Sequence, residues 1–239
     1  MQATKSRRKG GKAQPEEEEA KPRAAPGSDV RERLLDTAEL LFAELGYASC
    51  TFRVIAGESG INQGLLHYYF GSKQNLFSEA FMRRARVVAT HRDVLLDEAV
   101  KRHGAGRVPL EVLVRAFLTP ALSMAQEGPG GRAFVRIHSQ LRSEPGDIGL
   151  ELRRQAFGAS TQRYVKALAE ACPHLPKKAV FWRFNFMVGS YLVVSSQGGR
   201  LEDYSGGTCA SQDIESALAQ LVPFVVAGFM APAPGRRNS

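Results

Sequence analysis

Within Asn62–Tyr69 the chain carries groups that can read the edge of a base pair. An amide such as Gln63, at the start of a helix, can bond an adenine edge in two places. Leu65 can touch a thymine methyl group, and His67 can bond a base or a phosphate. Gly64 lets a backbone approach closely, and Tyr68 offers an aromatic hydroxyl to a phosphate. Thr51, Arg53 and Lys73 flank this stretch and are placed to hold backbone phosphates, which fixes register without reading sequence.

Such side chains need a narrow, exposed helix to carry them. The punctuation of TFRVIAGESGINQGLLHYYFGSK supplies it. Thr51 can cap a first short helix that buries Val54 and Ile55, with Ala56 allowing a close neighbour. Gly60 breaks that helix as a left-handed turn residue. Asn62 can cap a second helix, which runs through Leu65, Leu66 and Tyr69 and ends at Phe70 and Gly71. Two short helices joined by a glycine turn form a helix-turn-helix. A preceding helix starts at Ser28 or Asp29, where Asp29 and Glu32 have capping-box spacing. It presents Val30, Leu34, Ala38, Leu41, Phe42 and Leu45 on one face and ends at Gly46. That face should cover the other two helices and complete a three-helix DNA-binding domain over residues 28–73.

The series Thr51, Arg53, Ile55, Ala56, Gly60, Ile61, Leu65, His67, Tyr68, Tyr69, Phe70, Ser72 and Lys73, with Leu76 and Phe77 beyond, resembles the signature of TetR-type transcriptional regulators. The likeness covers roughly Asp29 to Phe81. It implies a DNA-binding regulator, by family habit a repressor, in which Tyr69 and Phe70 pack rather than touch DNA. Leu66, Tyr69 and Phe70 are accordingly assigned to the small core.

The formal net charge of +8 invites a nucleic-acid partner. Its distribution complicates that: residues 1–27 sum to +3, residues 28–79 to −3 and residues 80–239 to +8. The motif, not global charge, therefore carries the DNA reading. Many of the acids, Asp29, Glu32, Asp36, Glu39 and Glu44, fall on the first helix, where they can face solvent away from DNA. Residues 1–27 mix basic residues with the Glu16–Glu19 block and three prolines, and read as a disordered arm. No apolar run reaches membrane-spanning length, and no apolar core follows the basic start as in a secretory signal. Cys50, Cys172 and Cys209 fit neither a metal spacing nor a disulfide framework, and read as thiols in a reducing cytoplasm. No cofactor or metal is expected. The five histidines are scattered, and no Gly-x-Ser-x-Gly, P-loop, His-Glu-x-x-His or dinucleotide fingerprint occurs. A helical enzyme is thus the weaker reading, as is an adaptor using the motif for protein contacts.

The rest of the chain reads as helices, about nine in all, so the fold class is all-α. Ser72 caps a fourth helix running towards Arg102. Further helices are expected over Val108–Gln126 with Pro120 inside, Gly131–Ser143, Gly146–Ala171, Pro176–Gln197 and Gln212–Phe229 with Pro223 inside. Gly128–Gly131 reads as a break and Gly198–Ser211 as a loop. Residues 74–231 would form a ligand-binding and dimerisation domain, and residues 232–239 a flexible tail. Aromatic and Met side chains suit an apolar ligand, and Phe117, Met124, Phe134, His138, Phe157, Trp182, Phe186 and Tyr191 are its candidate contacts. The same residues also suit a plain core. His138, Arg142 and Arg183 are candidates for a carboxylate head group.

A single reading head spans few base pairs, so a homodimer on a palindromic double-stranded operator is expected, with heads about 34–36 Å apart or a multiple of that. Val180, Phe184, Val188 and Leu192 make one stripe, and Leu218, Leu221 and Val225 another, for an isologous interface. Those stripes could equally face the protomer's own core. The segments LRSEPGD, FWRFNFMVGSYLVV and LVPFVVAGFMAPAP are similar to the C-terminal domain of the PsrA-like branch of TetR regulators. That likeness implies a fatty-acid or acyl-derived effector.

Overall fold

In the computed structural model the described residues are 26–141, 148–196 and 200–233. Residues 1–25 of the expected arm, 234–239 of the expected tail, and Arg142 with its neighbours in LRSEPGD lie outside them. Ten α-helices and no strand occur among the described residues. They are α1 (Pro26–Ser49), α2 (Phe52–Ser59), α3 (Gln63–Phe70), α4 (Lys73–His103), α5 (Leu110–Ser123), α6 (Gly128–Gln140), α7 (Ile148–Ala171), α8 (Lys177–Ser196), α9 (Arg200–Tyr204) and α10 (Ile214–Met230).

The three expected caps form. Thr51 Oγ1 accepts from Val54 N at 3.3 Å, Asn62 Oδ1 from Gly64 N at 2.7 Å, and Ser72 Oγ from Asn75 N at 3.1 Å. Each satisfies a backbone donor that the first turn leaves unpaired. Gly60 closes α2 in the left-handed conformation (φ 66°, ψ 17°), which a side chain would resist. α1 breaks at Gly46, after which one more turn leads to Cys50. α4 ends with Lys101 and Arg102, cations that suit the negative end of the helix dipole, followed by His103.

Several expectations need correction. Phe52 rather than Val54 is buried on α2, and Leu35 rather than Leu45 on α1. The expected break over Gly128–Gly131 narrows to Gly128 (φ 71°), and Pro129–Gly131 already belong to the first turn of α6, where the missing N–H of the proline costs nothing. α5 stops at Ser123 and tightens into a 3₁₀ turn over Met124–Gln126. The extra helix is α9, inside the expected loop, with none of its residues buried. Pro223 lies inside α10 without ending it.

One core runs from α1–α3 through α4 into α5–α8 and α10. α4 is its spine: it packs on α1, α5, α6 and α7. α1 also packs against α6, where Gln140 Nε2 donates to Ala43 O at 3.2 Å. The three-helix unit α1–α3 is therefore joined to the larger helical body through α1 and α4.

Candidate nucleic-acid interface and effector core

α3 has two distinct faces. Leu66 is fully buried and Phe70 nearly so, while Asn62, Gln63, Gly64, Leu65, His67 and Tyr68 are exposed. Tyr68 stands out at 79% exposure, and its neighbour Tyr69 is half-buried and meets it edge to face at 5.1 Å. The helix thus holds its core with Leu66 and Phe70 and leaves a polar rod outside. His67 also sets its ring against Phe52 at 4.8 Å, so it orients α3 on α2 as well as facing solvent.

Thr51 and Arg53 lie exposed at the start of α2, and Arg53 has no ion-pair partner among the described residues. Lys73 differs. Its Nζ donates to Tyr47 O at 2.9 Å and Ala48 O at 3.3 Å, and lies 4.4 Å from the Tyr47 ring centre. Two of its three donors therefore hold the last turn of α1, and one remains for a phosphate.

The acids of α1 are not simply solvated. Glu39 is 1% exposed and accepts from Arg83 Nη2 at 2.9 Å and Arg84 Nε at 2.6 Å. Arg83 also bonds Asp36 at 2.7 Å and Glu32 at 3.1 Å, and Arg31 pairs with Glu79. Burial lowers the Arg83 guanidinium, but the bonds and charges of Asp36 and Glu39 outweigh it and raise it above its ordinary value. The negative excess of residues 28–79 is thus largely matched by arginines, two of them just beyond that window.

Behind α4, six of the eight candidate ligand contacts are buried: Phe117, Met124, Phe134, His138, Phe157 and Tyr191. His138 is their hub, stacked on Phe157 at 5.1 Å, with Phe134 at 5.8 Å and Tyr191 at 6.3 Å. Trp182 and Phe186 are not part of it. They are 55% and 59% exposed on the outside of α8, tilted on each other at 5.8 Å. Arg183 is no head-group residue either: it donates to Phe229 O, Ala231 O and Pro232 O and so fastens the end of α10.

The sequence reading missed Arg92, which is buried in this core at 2% exposure. A signal for it existed. Arg92 continues the apolar stripe Phe81, Ala85, Val88, Leu96 and Ala99 at helical spacing, in a place where an arginine must turn inward.

The expected interface residues also turn inward. Val180, Phe184, Leu192, Leu221 and Val225 are buried in the protomer's own core, and Val188 and Leu218 are half-buried against it. The exposed apolar side chains of these helices are instead Phe181, Trp182, Phe186 and Val193 on α8, with Phe224 and Met230 on α10. A groove of about 380 Å³ runs between the helices, lined by Phe186, Met187, Phe224 and Gly228 among others.

A three-helix unit with one exposed reading helix, joined through a long α4 to an aromatic-cored helical body, defines a helix-turn-helix transcription regulator. The family comparison agrees. The model for bacterial regulatory proteins of the tetR family matches residues 34–80, and the tetracyclin repressor-like C-terminal domain matches residues 115–228. The chain belongs to the tetR family of bacterial regulatory proteins. No curated protein matches it. Similar solved structures include the fatty acid degradation regulator FadR from Bacillus halodurans, at 13% identity and TM-score 0.62, covering 87% of this chain and 99% of that one. FadR from Bacillus subtilis in complex with stearoyl-CoA is 14% identical with TM-score 0.54, over 83% and 98%. A tetR-family regulatory protein from Rhodococcus RHA1 is 16% identical with TM-score 0.57, over 86% and 98%. At these identities the likeness is one of fold.

Proposed function

We propose that the chain is a cytoplasmic, homodimeric repressor that binds a palindromic operator and is released by a small apolar or acyl-type effector. The observation that carries the DNA half is the split of α3, with Leu66 at 0% exposure and Tyr68 at 79%. Gln63 and His67 read bases, Leu65 meets a thymine methyl, and Gly64 and Asn62 let the helix start approach the groove. Thr51, Arg53, Tyr68 and the spare donor of Lys73 hold phosphates. The division of labour falls at the start of α4, with residues 28–73 reading DNA and residues 74–231 sensing and pairing.

Dimerisation uses the outer face of α8 and α10. Trp182, Phe186 and Val193 lie exposed on one side of α8, and Phe224 lies beside Phe186, a large apolar area to leave in water. The effector enters the core around His138, between α4 and the helices behind it. The family-level fatty-acid resemblance and the FadR-like folds support an acyl body. Because α4 carries both this core and the α1 junction, a ligand that parts the rings shifts α4 and the separation of the two heads. It must bind the shifted state better, or it moves nothing.

Selection of the full chain on a random duplex library tests this. Enriched sites should be two-fold symmetric, with half-sites about one helical turn or a multiple apart. On the selected site Gln63→Ala should lose about 1–3 kcal/mol of discrimination against random DNA, whereas Arg53→Ala weakens both DNAs alike and lowers the salt slope. Equal losses on both DNAs for Gln63→Ala would sink the reading assignment.

A further inference from the structure

The Arg92 guanidinium lies in a cage of rings, 3.8 Å from the centre of Phe117, 5.4 Å from Tyr191 and 5.6 Å from Phe157. Nε donates to Phe117 O at 2.9 Å, three residues before Pro120, in the stretch of α5 where the proline removes a backbone donor. Its own carbonyl accepts from the buried Tyr164 hydroxyl at 2.7 Å, which fixes α4 against α7 here. Nη2 is buried and has no acceptor.

That is a costly arrangement. An arginine cannot shed its proton to escape burial, and an unpaired buried charge costs far more than a paired one. Ring faces offset only part of this. The adjacent acid is drawn the other way: Asp93 Oδ1 lies 2.9 Å from Arg163 Nη1, an ion pair that leaves this buried oxygen without a hydrogen bond, and Asp97 also pairs with Arg163 on α7. A second polar group lies on the face of α7 that packs here. Ser160 is 3% exposed, its hydroxyl has no partner, and it shares a face of α7 with Phe157 and Tyr164, both of which touch Arg92.

We infer that Arg92, with Ser160 beside it, is the anchor for the acid group of the effector, which is therefore a free carboxylate with an apolar body rather than a neutral acyl ester or thioester. This rests on the effector-core reading above and adds its chemical class. The guanidinium fork matches a carboxylate, and the charge is satisfied only when the ligand is present. The apolar body lies among Phe117, Phe157 and Tyr191, whose contact distances leave ring displacement as the way in. Binding thereby moves side chains on α5, α7 and α8 that brace α4.

Titration calorimetry of the full chain with decanoate, 1-decanol and decanoyl-CoA tests the inference. Wild type should bind decanoate about tenfold or more tighter than 1-decanol and should prefer the free acid to the thioester. Arg92→Met should remove that preference while leaving 1-decanol binding close to wild type, and Arg92→Lys should retain part of it. Equal binding of acid and alcohol to wild type, or a preference that survives Arg92→Met, overturns the assignment but leaves the core as a ligand site. Tighter binding of the thioester overturns it in favour of a phosphate-bearing ligand. Binding of none of the three overturns the effector-core reading and this inference with it. Should Arg92→Met fail to fold, the wild-type comparison and Arg92→Lys decide.

Discussion

α3 and α8 are both helices with apolar and exposed residues, yet they are built on opposite terms. α3 buries Leu66 and Phe70 and presents amide, imidazole and phenol to solvent. Its two faces differ in chemistry, so its orientation is fixed by its own composition. α8 is apolar on both sides: Val180, Phe184, Met187 and Tyr191 close the core, while Phe181, Trp182, Phe186 and Val193 lie outside. A helix of that kind can be turned either way without changing its own energetics, and its neighbours decide. The lesson is that the orientation of a helix with one polar and one apolar face is specified locally, whereas the outer face of a helix apolar all round is specified by what is left over once the core is full.

The largest expected effect separates the two faces of α8. Phe184→Ala should cost about 3–5 kcal/mol, because Phe184 packs on Phe117 and truncation leaves a cavity. Phe186→Ala should barely change the fold of the protomer but should weaken the dimer. Urea unfolding at fixed protein concentration and sedimentation measure the two, with the single tryptophan, Trp182, reporting solvent exposure on dilution. The comparison breaks if the two substitutions destabilise unfolding alike while the dimer persists in both.

A second contrast lies at the junction of the two regions. Glu39 is buried between Arg83 and Arg84, whereas Asp36 pairs with Arg83 from a mostly exposed position. Arg84 and Glu39 also leave no room for a Cβ at Gly130, so α1, α4 and α6 meet at this carboxylate. Glu39→Ala should cost about 3 kcal/mol, as breaking a buried pair does. Asp36→Ala should cost about 0.5 kcal/mol, as for an exposed pair. If Asp36→Ala is the more damaging, the buried carboxylate does not organise the junction.

What could be read from residues alone follows the same division. Thr51, Asn62 and Ser72 were legible as caps because each bonds a backbone donor within three residues. The exposure of Tyr68 and the partial burial of Tyr69 followed from family position and helical geometry. Glu39 and Arg183 were not legible, because their partners lie on helices far along the chain. Counting charge within residues 28–79 made the reading head look acidic for that reason: Arg83 and Arg84, which answer its acids, come later. The inward turn of Val180 and Leu192, and the outward turn of Trp182 and Phe186, could not be decided from a helix apolar all round. Arg92 is the instructive case, since its stripe marked it as buried and only its neighbours show what it lacks.

The reading unit also carries a pH signature that its polar face does not. Cys50 lies fully buried beneath α1 and α2, and desolvation pushes its thiol up to about 11, against the weaker opposing pull of Lys73. In the unfolded chain the thiol ionises near its ordinary value of 9.0, so the unfolded state loses its proton first. Stability is then undiminished below pH 9.0 and falls as pH rises through the interval to about 11. The loss from this group should be about 3 kcal/mol, and Cys50→Ala should remove it. Burial raises Cys172 and Tyr164 too, so part of the alkaline slope will remain in that variant. An unchanged slope in Cys50→Ala, followed by denaturant unfolding at several pH values, would show that the thiol does not contribute.

The smallest effect bears most directly on how α3 is specified. Asn62 Oδ1 satisfies a free donor in the first turn of α3, Gly64 N, and the same side chain stands exposed at the end that would enter a groove. Its role in the fold and its role on DNA can be separated by chemistry. Asn62→Asp keeps the cap and favours the positive end of the helix dipole, but it sets a negative charge against phosphate. Asn62→Ala removes the cap at a cost of about 1 kcal/mol. The stability order should therefore be Asp at least equal to Asn, with Ala below both, while affinity for every DNA sequence should fall most for Asp. A variant order that is the same in unfolding and in binding would mean that the cap acts only through helix stability. In that case the approach of this helix end to DNA, on which the assignment of Gln63 and Gly64 depends, would have to be given up.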